Sequence, residues 1–311
     1  MAGLDVTEAA FAGVRLLIKR PLAALVWALI YAVFFAVFGA LFGGAAYGLI
    51  GTLSAAAKTH APPQLVAAVL AAIGGVFGLY LLFMGCLLVV GSIVSCAVIR
   101  AVLEPGAGGM ASLRLGRREL RMMLLSFCKG VLMFVIATVL AIPAGIIVAL
   151  ISFGAGMSMA QSIAIRVVEQ VVVNGAAFYF YLRFSMAAPM TFDEGRFRLF
   201  ESWTQTKGRV WRLFLIGLLV GLMAAGLYLV IGLVAVAAGW AMWRDLTGGA
   251  DPRIFFRRPP AVWLTSLTPL IALGATASMI LMTLLTPIVA APWAKAYRQL
   301  KPDDDIASTF A

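Results

Sequence analysis

Few residues of this chain can carry chemistry. It has one histidine, His60, three cysteines and 13 Asp plus Glu among 311 residues. Cys86, Cys96 and Cys128 all fall in long apolar stretches, and no two form a C-x-x-C pair. Such cysteines pack as small hydrophobes. Neither a disulfide framework nor a zinc site is expected from them. The usual zinc hydrolase arrangements need more than one histidine. Ser92 and Ser95 lie in an apolar stretch with no base nearby in sequence, so they lack the partner a nucleophile needs. Asp193 and Glu194 are adjacent. On a helix they point about 100° apart, which suits a helix N-terminal cap better than paired general acid–base work. No Gly-rich phosphate loop follows a strand. No enzyme, metal or cofactor is expected.

The polar residues that interrupt apolar stretches are the next candidates, because an ionisable group at membrane depth marks a functional site by default. Lys129 lies about two turns inside one stretch and can snorkel back toward water. Arg166 and Glu169, three apart, can pair on one helix. Asn174, near mid-span, can hydrogen-bond across helices. Transporters carry several buried acids or broken half-helices at the midplane. Only Glu169 fits that pattern here.

These residues must be positioned by six apolar stretches. Residues 22–50, 65–99, 213–243 and 261–294 carry no charge; 122–152 holds only Lys129, and 167–190 only Glu169 and Arg183. About 20 apolar residues in a helix cross a bilayer core. With 63% apolar and 12% charged residues and a mean hydropathy of +1.03, lipid must solvate part of the chain. The expected fold is an all-α, polytopic transmembrane bundle of six spans with short interfacial elbow helices. Stretch 65–99 is long for one crossing, and Gly74-Gly75 can divide it. Charge bias favours a single tilted or extended helix. Eighteen Lys and Arg fall in the N-terminal segment, the second and fourth loops and the tail, against six in the other loops. The positive-inside rule then places both termini in the cytoplasm. The net charge of +11 faces anionic headgroups on this reading, not nucleic acid. The first stretch is too long for the apolar core of a cleavable signal peptide.

Residues 1–21 read as an amphipathic lead-in capped by Asp5 or Thr7, with Phe11, Val14, Leu17 and Ile18 on one stripe. Residues 299–311, with Asp303, Asp304 and Asp305, read as a disordered acidic tail. Pro143 and Pro287 are expected to kink the third and sixth spans. Small residues four apart permit close helix approach, within the bundle or between copies: Gly39 with Gly43, Gly44 with Gly48, Gly74 with Gly78, Gly217 with Gly221, and Gly274 with Ser278. The even-numbered spans end alike, with Arg100, Arg183 and Arg298 a few residues before Pro105, Pro189 and Pro302.

The most distinctive linker is MTFDEGRFRLFESWTQTKGRVWRLF at 190–214. Phe197, Phe200 and Trp203 share a face if it is helical, Gly208 can end that helix, and Arg209, Trp211 and Arg212 anchor the next span. This reads as an elbow on the inner leaflet, with Arg196, Arg198, Trp203, Lys207, Arg209, Trp211 and Arg212 meeting anionic lipid or a partner protein. The stretch from Arg183 to Leu218 resembles a signature of bacterial multi-pass proteins similar to the membrane domain of some glycerophosphodiester phosphodiesterases. Arg183, Pro189, Glu194, Gly195, Ser202, Lys207 and Gly208 carry the likeness, and AVIRAVLEPGAGGMASLRLGRRELR shares it. Together they cover about a fifth of the chain. The resemblance implies a helical domain of a bacterial inner membrane, without the phosphodiesterase barrel and its paired histidines. The expected function is non-enzymatic: binding or organising envelope lipids or partner proteins, with transport of a small or amphipathic solute as the alternative. A homo-oligomer is compatible with either.

Overall fold

Every regular element among the described residues is helical. The computed structural model describes residues 4–58, 62–106, 111–113, 116–248 and 260–301. In chain order the helices are α1 (Val6–Ala10), α2 (Ala12–Lys19), α3 (Pro21–Lys58), α4 (Pro62–Leu103), α5 (Arg117–Gly154), α6 (Met159–Arg183), α7 (Ala187–Glu194), α8 (Glu201–Gln205), α9 (Val210–Thr247) and α10 (Pro260–Leu300). Six segments are long and apolar enough to cross a membrane: Pro21–Thr52, Val66–Leu103, Arg117–Gly154, Met159–Glu194, Val210–Thr247 and Thr265–Leu300. The protein is a multi-pass, all-helical membrane bundle.

Local sequence explains the helix ends. Proline opens α3, α4 and α10, at the position where its missing N–H leaves nothing unsatisfied. Ser158 and Gln161 form a capping box: the Gln161 N–H donates to Ser158 Oγ at 3.4 Å, and the Ser158 N–H to Gln161 Oε1 at 2.9 Å. Helix α6 therefore starts eight residues before the expected span, and Arg166 lies on a helix, not in a loop. Helix α4 runs through Gly74-Gly75 without a break. Pro143 and Pro287 lie inside continuous helices.

The chain forms two compact units. One comprises Met1–Leu16, Ser95–Gly221 and Ile288–Ala311. Its core gathers Cys96 and Ile99 of α4, Met122 and Leu125 of α5, Phe184, Ala187, Phe192, Leu199, and Ala294 of α10. Gly217 is a required close approach here, since an added Cβ would lie 2.9 Å from both Leu182 Cδ2 and Phe178 Cζ. The N-terminus docks on α10 in this unit: Glu8 takes a 2.9 Å ion pair from Lys295 and a 2.7 Å bond from Gln299. Asp5 caps α1, accepting from the Glu8 N–H at 2.9 Å. Phe11 and Ile18 are exposed, while Leu16, Ala9 and Ala10 are buried. The apolar face thus differs from the expected stripe, because the helix breaks at Phe11 between α1 and α2.

The other unit comprises Leu17–Val94 and Leu222–Pro287. Trp27, Tyr31, Phe34 and Phe38 of α3 are buried, with Phe83 packed among Phe34, Phe38 and Phe42 at 5.2–5.8 Å between ring centroids. The Tyr31 hydroxyl shares a 2.9 Å hydrogen bond with Thr286 Oγ1. An open apolar groove of about 550 Å³ lies between α3 and α10. Gly39 and Gly43 line it, and a Cβ at either would meet nothing within 4 Å. Gly44, Gly48, Gly74, Gly78 and Gly274 are equally open, and so is Gly221 of the first unit. Of the paired glycines, close packing against neighbouring side chains is found at Gly217. His60, Arg114, residues 249–259 and residues 302–311 lie outside the described residues; the tail expected from residue 299 begins later, because α10 runs to Leu300 and Gln299 is bonded to Glu8.

Candidate functional site

The elbow from Arg183 to Arg212 is built by one turn after another. Helix α6 ends at Arg183, where Ser185 Oγ donates to the Leu182 carbonyl at 2.7 Å. Helix α7 stops at Gly195, whose φ of +63° only glycine adopts readily. The same glycine admits Arg121, which donates to the Gly195 carbonyl. The expected elbow helix is therefore split, and α8 is only five residues long. Phe197 does not share a helix with Phe200 and Trp203. Gly208, at φ +76°, turns the chain toward α9.

Arg183 is the pivot. Its guanidinium lies 4.6 Å from the Trp203 ring centroid and 5.4 Å from that of Tyr179. It donates to the Tyr179 hydroxyl at 3.1 Å and to Thr206 Oγ1 at 3.3 Å. Ser202 Oγ returns a 2.7 Å bond to the Arg183 carbonyl, one of the acceptors a helix C-terminus leaves open. Arg198 is also held inside the elbow, by Glu194 at 2.8 Å and Glu201 at 3.4 Å. Asp193 accepts from the Tyr297 hydroxyl at 3.0 Å and from Lys301 at 2.8 Å. Asp193 and Glu194 thus sit at the C-terminal end of α7, and they do not cap a following helix.

Of the expected elbow residues, Trp203 and Arg198 serve the fold. Arg196, Lys207, Arg209, Trp211 and Arg212 are exposed. The four cations make no ion pair among the described residues. Beside them in the chain, Phe200 is 68% and Trp211 71% exposed. Trp211 stacks on Phe214 with centroids 5.2 Å apart, so its broad face is fixed. Unpaired cations next to exposed aromatics have the chemistry of a membrane interface.

Arg166 and Glu169 make no ion pair with each other. Glu169 instead faces α5, with its Oε1 3.7 Å from where a Cβ on Gly145 would stand, and Arg166 points out. Asn174 bonds within its own helix, accepting from Gln170 Nε2 at 3.1 Å, and bonds to no other helix among the described residues. Lys129 places its ammonium 4.5 Å from the Tyr181 ring centroid, a contact the sequence did not disclose.

A second constellation escaped the sequence reading. Arg100 and Glu119 form a buried ion pair, their side chains 3% and 7% exposed. Arg100 also donates to the Ser112 carbonyl at 2.5 Å, and Cys96 Sγ lies 3.7 Å from Glu119 Oε1. Arg298, the third arginine at an even span end, donates to the Val102 carbonyl at 3.4 Å. The repeated arginines thus share a role: each ties a helix end to a backbone carbonyl elsewhere in the unit, for Arg183 that of Trp203 at 3.5 Å. No group of three or more metal-binding side chains occurs among the described residues. A scan against protein-family models returned no match, and searches of curated proteins and of solved structures returned none either.

Proposed function

We propose that this integral membrane protein binds anionic lipid headgroups through its elbow and thereby organises lipids, or lipid-associated partners, at one face of the bilayer. The observation that carries this reading is the unpaired set Arg196, Lys207, Arg209 and Arg212, exposed beside Phe200 and Trp211. Cations near an anionic leaflet are each worth about 1 kcal/mol. On this reading the elbow lies on the cytoplasmic side of a bacterial inner membrane, where the charge bias puts both termini. The chain has no catalytic role of its own, so the isolated protein hydrolyses no glycerophosphodiester. The likeness to the phosphodiesterase membrane domain accords with a lipid-proximal role.

The test is native mass spectrometry of lipid retained by the purified protein. Replacing Arg196, Lys207, Arg209 and Arg212 by Gln lowers phosphatidylglycerol retention several-fold and leaves phosphatidylethanolamine unaffected. Equal retention in a folded variant rejects the reading.

One observation favours a second reading, transport of an amphipathic solute. The groove between α3 and α10 is lined by Tyr47, Thr265, Thr268 and Thr276 among otherwise apolar residues. Dye-labelled amphiphile flux in reconstituted vesicles, abolished by Gly43→Phe, supports it. Flux equal to that of empty vesicles rejects it.

A further inference from the structure

Helix α6 bears a row of polar side chains on an exposed face. Arg166, Gln170 and Asn174 recur at four-residue spacing, and all three are exposed. Around them Val167 and Val171 are 57% and 66% exposed. Gln170 and Asn174 are the twelfth and sixteenth residues of a 25-residue helix. At about 1.5 Å per residue they sit near the middle of the span, beyond the reach of headgroups. Arg166 lies nearer the helix start, from which a long side chain can extend toward the interface.

The hydrogen bond from Gln170 Nε2 to Asn174 Oδ1 is the one side-chain bond in this row among the described residues. It engages one donor of one amide and the carbonyl of the other. The Gln170 carbonyl and the Asn174 NH₂, on two exposed residues, are left without a side-chain partner among the described residues. Hydrocarbon offers neither group a partner, and an unpaired amide there is costly. Acyl chains therefore do not complete this surface.

We propose that a second copy of the chain covers this face of α6, forming a two-fold homodimer in the membrane. The row is self-complementary. Across a two-fold axis parallel to the bilayer normal, residues of equal depth meet. The Asn174 NH₂ of one copy then donates to the Gln170 carbonyl of the other, and the reverse bond forms by symmetry. Val167 and Val171 pack around the pair, and Gly175, with open space where a Cβ would stand, lets the backbones approach. Glu169 stays on the opposite side of the helix, against α5.

The experiment uses the full chain in lipid vesicles, carrying donor or acceptor dyes, diluted over a range of protein-to-lipid ratios. Energy transfer saturates above the level of random proximity. Q170L/N174L weakens dimerisation about tenfold, as expected for two interhelical hydrogen bonds. Should that variant fail to fold, V171C in the otherwise natural chain decides. It cross-links copy to copy above the background of the natural cysteines, while V236C, on a 71% exposed position of α9, does not. Transfer at the random level overturns the proposal. So do unchanged transfer in folded Q170L/N174L and cross-linking of V171C only to a different polypeptide. None of these residues belongs to the elbow, so loss of lipid retention and loss of dimer are separable results.

Discussion

The connections before α5 and before α9 are alike in composition and opposite in use. Around the first, Arg100 is sealed against Glu119 and the Ser112 carbonyl, Arg118 reaches Glu104 at 2.8 Å and lies over Phe192, and Arg121 is bonded to Gly195. Arg117 is exposed. Around the second, Arg183 and Arg198 are held, and Arg196, Lys207, Arg209 and Arg212 face outward. The difference lies in the acids. Glu104 and Glu119 are free to receive arginines of the first connection. In the second, Asp193 is taken by Tyr297 and Lys301, and Glu194 and Glu201 both go to Arg198. Counting basic residues does not tell which cations stay unpaired; the occupancy of nearby carboxylates does.

The largest effect should come from breaking the internal side of this comparison. Arg100→Met or Glu119→Leu alone strands a buried charge and lowers stability by about 3–5 kcal/mol. The double replacement recovers most of it, read by thermal unfolding in detergent. Equal damage from single and double variants breaks the claim that the pair is a closed internal unit. Next, Gly217→Ala forces Leu182 and Phe178 to move and costs about 1–3 kcal/mol. Gly221→Ala, one turn on and open, stays within about 0.5 kcal/mol. Ser202→Ala removes the bond to the Arg183 carbonyl and costs about 1 kcal/mol, with increased protease cleavage between 195 and 209 as a second readout.

The smallest effect concerns the N-terminus. The Glu8 N–H bonded to Asp5 holds that carboxyl below its ordinary 3.8, and the Lys295 ammonium bonded to Glu8 holds it below its ordinary 4.5. Both folded values are depressed, so their contribution is complete above those ordinary values and is lost as pH falls through the lower folded ones. Hydrogen-exchange protection factors in α1 should fall below about pH 4 and be flat from pH 5 to 8. A fall near neutrality contradicts the assignment.

Much of the architecture was readable because lipid solvation demands long uncharged runs. The unbroken α4 followed from charge bias even across Gly74-Gly75. The start of α6 was missed because Gln161, Arg166 and Glu169 dilute its hydropathy, although Ser158 and Gln161 spell a capping box. The elbow's cations and aromatics were visible in sequence. Its split at Gly195 was not, since that turn is fixed by Arg121, 74 residues away. The Arg100–Glu119 pair was hidden for the same reason: its partners lie on separate helices, and periodicity within one helix carries no trace of it. Arg166 and Glu169, by contrast, had the right spacing to pair and do not, because the space beside Gly145 draws Glu169 away.

The decisive measurement compares phosphatidylglycerol affinity of two variants by native mass spectrometry. Arg118→Gln alters a cation already paired with Glu104; R209Q/R212Q alters two that have no acidic partner among the described residues. The account predicts unchanged affinity in the first and a several-fold loss in the second, with thermal stability of R209Q/R212Q within about 0.5 kcal/mol of the natural protein. Equal losses in both, or a loss confined to Arg118→Gln, would contradict it.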